Sequence, residues 1–165
     1  MPAISAEKAG KDFMNTGRFK SGSSHKVIAL TLLLFTASCS SDPVDDPIPY
    51  QPFPTIVLNI NLPEYVTLKN TGGYKTIDGG VRGIIVYRQS ATRYLSFERN
   101  CSYRPNEACA TVEVHASGLY MHDPCCGSMF DFNGNPTGGP AWRPLRRYQT
   151  SFNGNEIFIT DGIED

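Results

Sequence analysis

The chain has 165 residues, including 15 Gly and 12 Pro, with charged residues at 19%. Its formal net charge of −1 joins two unlike parts: five Lys/Arg and two acidic residues precede Cys39, so ten basic and fourteen acidic residues follow it, about −4 net. The body after Cys39 is of single-domain size, and its mild acidity excludes the basic footprint of a nucleic-acid-binding protein.

The first element is an address. Residues 27–37 read VIALTLLLFTA, an apolar run too short to span a bilayer but of the length of a signal-peptide core. Arg18, Lys20 and Lys26 precede it and TASC at 36–39 follows. This pattern resembles a bacterial lipobox, with Thr36 departing from the usual Leu, and it implies that Cys39 becomes a lipid-bearing N-terminus. Residues 1–38 are therefore read as the signal peptide. Met14 is an alternative start, because from there no acidic residue precedes Cys39. Residues 39–54 contain SSDPVDDPIPYQPFP after the cysteine, with few apolar side chains, and read as a flexible linker. The acidic start of that linker resembles the surface-export signals of Bacteroidetes lipoproteins. The expected location is the cell envelope, with the protein lipid-anchored to a membrane at the outer membrane or cell surface.

Residues 55–160 read as all-β. Period-two runs of four to nine residues are broken by Gly, Asn and Pro: TIVLNINL (55–62), YVTLK (65–69), VRGIIVYRQ (81–89), TRYLSFER (92–99), CATVEVH (109–115), LYMHD (119–123), MFDF (129–132), RRYQTSF (146–152) and EIFIT (156–160). The NG pairs at 133–134 and 153–154 are hairpin signals. No window carries the period of a long amphipathic helix. Such spacing indicates antiparallel sheets in a sandwich or barrel.

Four cysteines lie in this part: Cys101, Cys109, Cys125 and Cys126. In an exported protein an even number reads first as disulfides. Of the three connectivities, the one joining adjacent Cys125 and Cys126 is strained, which leaves two. A zinc site built from all four fits poorly, since zinc ligands usually pair two to four residues apart.

The surroundings of these cysteines resemble the Rieske iron–sulfur family. DPCCGSMFD (123–131) is similar to the family's second box, Cys-Pro-Cys-His-Gly-Ser-x-Phe-Asp. RNCSYRPNEAC (99–109) is similar to the first box, in a stretched form. GGPAWRPL (138–145) is similar to the segment that closes over the cluster. The resemblance implies a Rieske-like fold of three small antiparallel β-sheets. A Rieske cluster is held by two thiolates and two imidazoles. The four ligand-equivalent positions here are Cys101, Tyr103, Asp123 and Cys126, of which Cys101 alone is unchanged. Cys109 and Cys125 match the non-ligand cysteines that form the family disulfide. The resemblance then implies a second bridge, Cys101–Cys126, across the vacated site, with Tyr103 and Asp123 as surface residues outside it.

Other side chains carry less. His115 falls at a hairpin tip and reads as solvated. His122 precedes the second box and reads as a surface residue, with a substitute-ligand role as the sharper alternative. Trp142 reads as a packing residue, against a lid or an interaction anchor. No nucleophile motif and no phosphate loop is present, and the chain is too short for the second, mononuclear-iron domain of a Rieske oxygenase. The reading is a non-enzymatic binding or accessory module with no cofactor and an unidentified protein or ligand partner. The alternative is an electron-transfer protein with a variant [2Fe–2S] cluster. Changing Cys39 to Ala is expected to move the protein from the membrane to the soluble fraction, because the two or three acyl chains of a lipoprotein cysteine are what hold it stably. Fractionation and gel mobility check this.

Overall fold

The computed structural model describes residues 46–164. The residues read as a signal peptide, with Met14, Cys39 and the first part of the expected linker, lie outside the described residues.

Ten strands and one short 3-10 segment make up the described chain: β1 (Ile56–Asn59), the 3-10 segment (Pro63–Lys69), β2 (Tyr74–Ile77), β3 (Ile84–Arg88), β4 (Tyr94–Glu98), β5 (Glu113–Val114), β6 (Met121–His122), β7 (Met129–Phe130), β8 (Pro136–Gly138), β9 (Arg147–Asn153) and β10 (Glu156–Ile163). All pairings are antiparallel. The all-β reading therefore holds, with one exception in type. YVTLK (65–69) is not a strand but part of the 3-10 segment, which starts at Pro63, where the ring fixes φ and no N–H is lost.

The strands form two sheets rather than three: six strands in the order β1-β10-β9-β4-β3-β2, and four in the order β5-β6-β7-β8. The joint is the β4–β9 pairing, Ser96 opposite Tyr148 and Phe97 opposite Arg147. It fuses the β9–β10 hairpin and the β2–β3–β4 meander into one ladder. Two strands, β2 and β8, lie in stretches where Gly, Asn and Pro mask the alternation (70–80 and 133–140).

β4 is buried on both faces, and its alternation feeds two cores. Leu95 and Phe97 join Ile85, Val112, Met121, Phe130 and Leu145 in the core shared with the four-stranded sheet. Tyr94 points the other way, with Ile84, Val86, Tyr148, Ile157 and Ile159. Each aliphatic side chain so buried contributes roughly 1.5–3 kcal/mol.

Glu98 ends β4 on the second face and is fully buried. Its carboxylate accepts from the amides of Val81 (2.8 Å), Arg82 (3.0 Å) and Asn100 (2.9 Å) and from the Tyr148 hydroxyl (2.7 Å). Burial, and then the bond to Glu98, holds the Tyr148 phenol above its ordinary pKa. Gly80 makes this approach possible: at φ +58, a Cβ there would stand 2.2 Å from Glu98 Oε2.

The linker expected to be flexible over 39–54 is held down where it is described. Arg143 donates to the carbonyl of Asp46 (2.7 Å), and Arg146 donates to those of Ile48 (2.7 Å) and Pro49. Phe53 packs edge-on against Tyr148, with ring centres 4.9 Å apart. The prolines that read as tether leave carbonyls unpaired by any ladder, and the two guanidinium groups take them.

Replacing Glu98 by Ala strands the buried Asn100 N–H and Tyr148 hydroxyl and the part-buried amides of Val81 and Arg82. It should lower stability by about 3 kcal/mol or more, while Tyr148→Phe, which removes one bond to the charge, should cost about 1.5–3 kcal/mol. Urea unfolding with an unchanged m-value checks both.

Candidate functional site

Two loops carry the cysteines to one end of the fold. The first leaves β4 through Asn100 and runs to Thr111, its partner in an isolated bridge. Cys101 N–H donates to the Ala110 carbonyl (3.2 Å), which closes the loop at its neck. Arg82 holds the far side: its guanidinium donates to the carbonyls of Glu107 and Ala108, 2.6 Å each, and to Asn100 Oδ1, also 2.6 Å. Arg104, at the loop's tip, takes a positive φ of 46°. The second loop is the tight turn between β6 and β7, where Asp123 N–H donates to the Ser128 carbonyl (2.9 Å) and Gly127 N–H to the Asp123 carbonyl (2.8 Å).

A third segment lies over both. Gly139, at φ +77, rests on the second loop so closely that a Cβ would sit 2.4 Å from the Gly127 carbonyl oxygen. Ala141 N–H donates to Ser128 Oγ (3.1 Å), and Ser102 Oγ donates to the Arg143 carbonyl (2.7 Å). The 138–145 segment thus ties the two cysteine loops together.

Cys109 and Cys125 form a disulfide between the loops. Their bridge removes both from any four-cysteine zinc site. Cys101 and Cys126 are free thiols with sulfurs 3.9 Å apart. The Cys126 thiol donates to Asp123 Oδ2 at 3.3 Å and lies 3.0 Å from Ser128 Oγ. Asp123 Oδ1 accepts from Cys125 N–H (2.9 Å), which leaves Oδ2 turned to the sulfurs. Cys101 Sγ, Cys126 Sγ and an Asp123 carboxylate oxygen lie within 4.8 Å of one another. Burial pushes the Cys101 thiol up; an N–H from Tyr103 opposes this, and Asp123 and Cys126 add to it. Beside these groups opens a cavity of about 380 Å³, lined by Tyr103, Arg104, Glu107, Asp123, Cys126 and Pro140 among others.

All four ligand-equivalent positions therefore meet: Cys101, Asp123 and Cys126 as a cluster, and Tyr103 on the cavity wall. Tyr103 and Asp123 were expected on the surface. Tyr103 is instead partly buried against the core, and Asp123 is completely buried. Their loops fold inward around the thiols. His115 lies at its hairpin tip, stacked on Tyr120 with ring centres 4.4 Å apart. His122 faces Glu113 across the β5–β6 pair, Nε2 to Oε1 3.3 Å, and is not in the thiol cluster. Trp142 is not a packing residue: half its surface is exposed, and Arg143 lies over its ring, 5.1 Å from the centre. Two residues went unnoticed in the sequence. Ser128 stands in the second box with no assigned role, and Arg82 lies too far from the loop it supports for any local pattern to mark it.

No family model matches the chain, and no curated protein matches it. Among solved structures the chain is similar to the ferredoxin of carbazole 1,9a-dioxygenase from Nocardioides aromaticivorans IC177. The two are 23% identical over 55% of this chain and 86% of that one, with a TM-score of 0.40. It is also similar to a chain of the complex of reduced oxygenase and oxidized ferredoxin in carbazole 1,9a-dioxygenase. There the identity is 17% over 58% of this chain and 87% of that one, with a TM-score of 0.43.

Because Asp123 is buried and accepts a backbone N–H, Asp123→Ala should cost about 1–3 kcal/mol, where a surface role would leave stability unchanged. Thermal or urea unfolding distinguishes the two.

Proposed function

We propose that the chain is a lipid-anchored cell-envelope protein with a Rieske-type scaffold, whose former cluster site serves a non-enzymatic binding or accessory role. The three sequence boxes support the scaffold, since the loops that carry them converge and the third lies over the other two. Among the described residues the site's donors are two sulfurs and a carboxylate, with the Tyr103 side chain on the wall beside them. That set does not fit a centre that needs two thiolates on one iron and two imidazoles on the other. The observation that carries the reading is the placement of the two histidines of the domain outside the cluster, one paired with Glu113 and the other stacked on Tyr120. The exposed Trp142, on the segment over the thiols, is consistent with a site that meets a partner.

The test is an iron, acid-labile sulfide and visible-absorption assay on protein purified without oxygen. The expected result is neither iron nor sulfide in stoichiometric amount, with two thiols, Cys101 and Cys126, labelled once the Cys39→Ala chain is denatured in the presence of a chelator. Stoichiometric iron and sulfide would establish the [2Fe–2S] electron carrier instead. Labelling of neither thiol in the denatured chain without reductant would show that the second bridge has closed.

A further inference from the structure

We infer that Cys101, Cys126 and Asp123 form a site for one divalent cation of the zinc type, with its fourth position open to the adjoining cavity. This rests on the reading that the site holds no iron–sulfur cluster, and it names what the site binds.

The distances carry the argument. Two thiolates on one tetrahedral zinc, each about 2.3 Å from it, stand about 3.8 Å apart. The two free sulfurs here are 3.9 Å apart. A carboxylate oxygen about 2.0 Å from the same ion would stand about 3.5 Å from each sulfur. Asp123 Oδ2 lies 3.3 Å from the Cys126 sulfur, and all three donor atoms fall within 4.8 Å of one another. This is the arrangement of ligands around one ion, too small a set for two irons.

The donor chemistry agrees. Two thiolates select a soft or borderline cation, and the single oxygen suits zinc or cobalt(II) better than copper(I). The groups behind the donors fix them as outer-shell partners do. Cys125 N–H occupies Asp123 Oδ1 and leaves Oδ2 for the ion. Ser128 Oγ, held by the Ala141 amide, lies 3.0 Å from the Cys126 sulfur. The buried carboxylate has thiols as the neighbours of its second oxygen, and a cation satisfies it better than they do. On binding, two S–H bonds break, two metal–sulfur bonds form, and both protons pass to the buffer. Asp123 and Cys126 also line the cavity of about 380 Å³, which leaves room for a water or a small anion at the fourth position.

Co(II) is the probe. The full chain carrying Cys39→Ala is purified from the soluble fraction, with reductant limited so that two thiols titrate and Cys109–Cys125 stays closed. One equivalent of Co(II) should produce thiolate-to-cobalt charge-transfer absorption with tetrahedral d–d bands, and excess Zn(II) should bleach both. Cys101→Ser and Cys126→Ser should each abolish the charge-transfer signal, with circular dichroism reporting that the sheets persist. Asp123→Asn should keep the sulfur band, shift the d–d bands and weaken affinity. Ser128→Ala should weaken affinity about tenfold or more. Glu113→Gln, at the β5–β6 pair, should change nothing. No Co(II) signal from iron-free protein with two reduced thiols overturns this inference alone, as does an unchanged signal in Cys126→Ser. Stoichiometric iron with acid-labile sulfide overturns both this inference and the reading beneath it.

Discussion

The geometry of the cysteine end depends on one buried carboxylate. Glu98 closes β4 and takes four donors at once, three of them backbone amides. Two of those amides, Val81 and Arg82, belong to the turn before β3; the third, Asn100, begins the first cysteine loop. With the Arg82 backbone fixed, its side chain reaches Asn100 and the carbonyls of Glu107 and Ala108, immediately before Cys109. Two points of the first loop are thereby set by one side chain, Asn100 at its start directly and the Glu107–Ala108 stretch before Cys109 through Arg82. A buried anion is tolerable only when its lone pairs are all used, and here they are.

The site built on this frame is more restrained than its loop-rich sequence suggests. Loops that carry reactive groups need support from elsewhere, or their side chains wander beyond productive distances. Here the second loop is held by its own turn, by the Cys109–Cys125 bridge and by the Ala141 amide on Ser128. The third segment brings no charged donor to the thiols. Its work is done by glycine, which allows backbone to lie on backbone at Gly139, and by one amide. The same segment continues into Arg143 and Arg146, which hold the chain from Asp46 to Pro49. The stretch that enters the domain and the stretch that covers the thiols are thus mechanically one piece.

How much of this was legible in the sequence follows from what each feature needs. The alternation of TIVLN, GIIVYR and RYLSFE is local, so the strands were readable, and β4's two-faced burial is visible in the apolar residues at both parities. The 3-10 segment was misread because YVTLK alternates well, and only Pro63 argued otherwise. The sheet count was not readable, since the β4–β9 pair joins residues some fifty apart and two strands hide in glycine-rich stretches. The convergence of Cys101, Tyr103, Asp123 and Cys126 was legible through the boxes. The burial of Asp123 was not, because a polar residue before a turn looks exposed until its loop is seen to fold inward.

Two thiols at 3.9 Å raise the question of which chemistry claims them first. A disulfide requires the sulfurs to close to about 2.05 Å. A metal requires almost no movement. Oxidation must also start somewhere accessible: Cys101 is wholly buried, so an external oxidant meets Cys126, which is partly exposed at the cavity. Attack there forms a mixed disulfide that Cys101 can resolve only if Cys126 swings towards it, away from Ser128 and Asp123, which hold its sulfur at 3.0 and 3.3 Å. Those two contacts resist bridging and at the same time orient the sulfur as a ligand. A bound cation occupies both sulfurs and withdraws the nucleophile that exchange depends on. The arrangement therefore favours metal over bridge wherever zinc is present when the two loops meet, and the bridge becomes the fate of the site only in its absence.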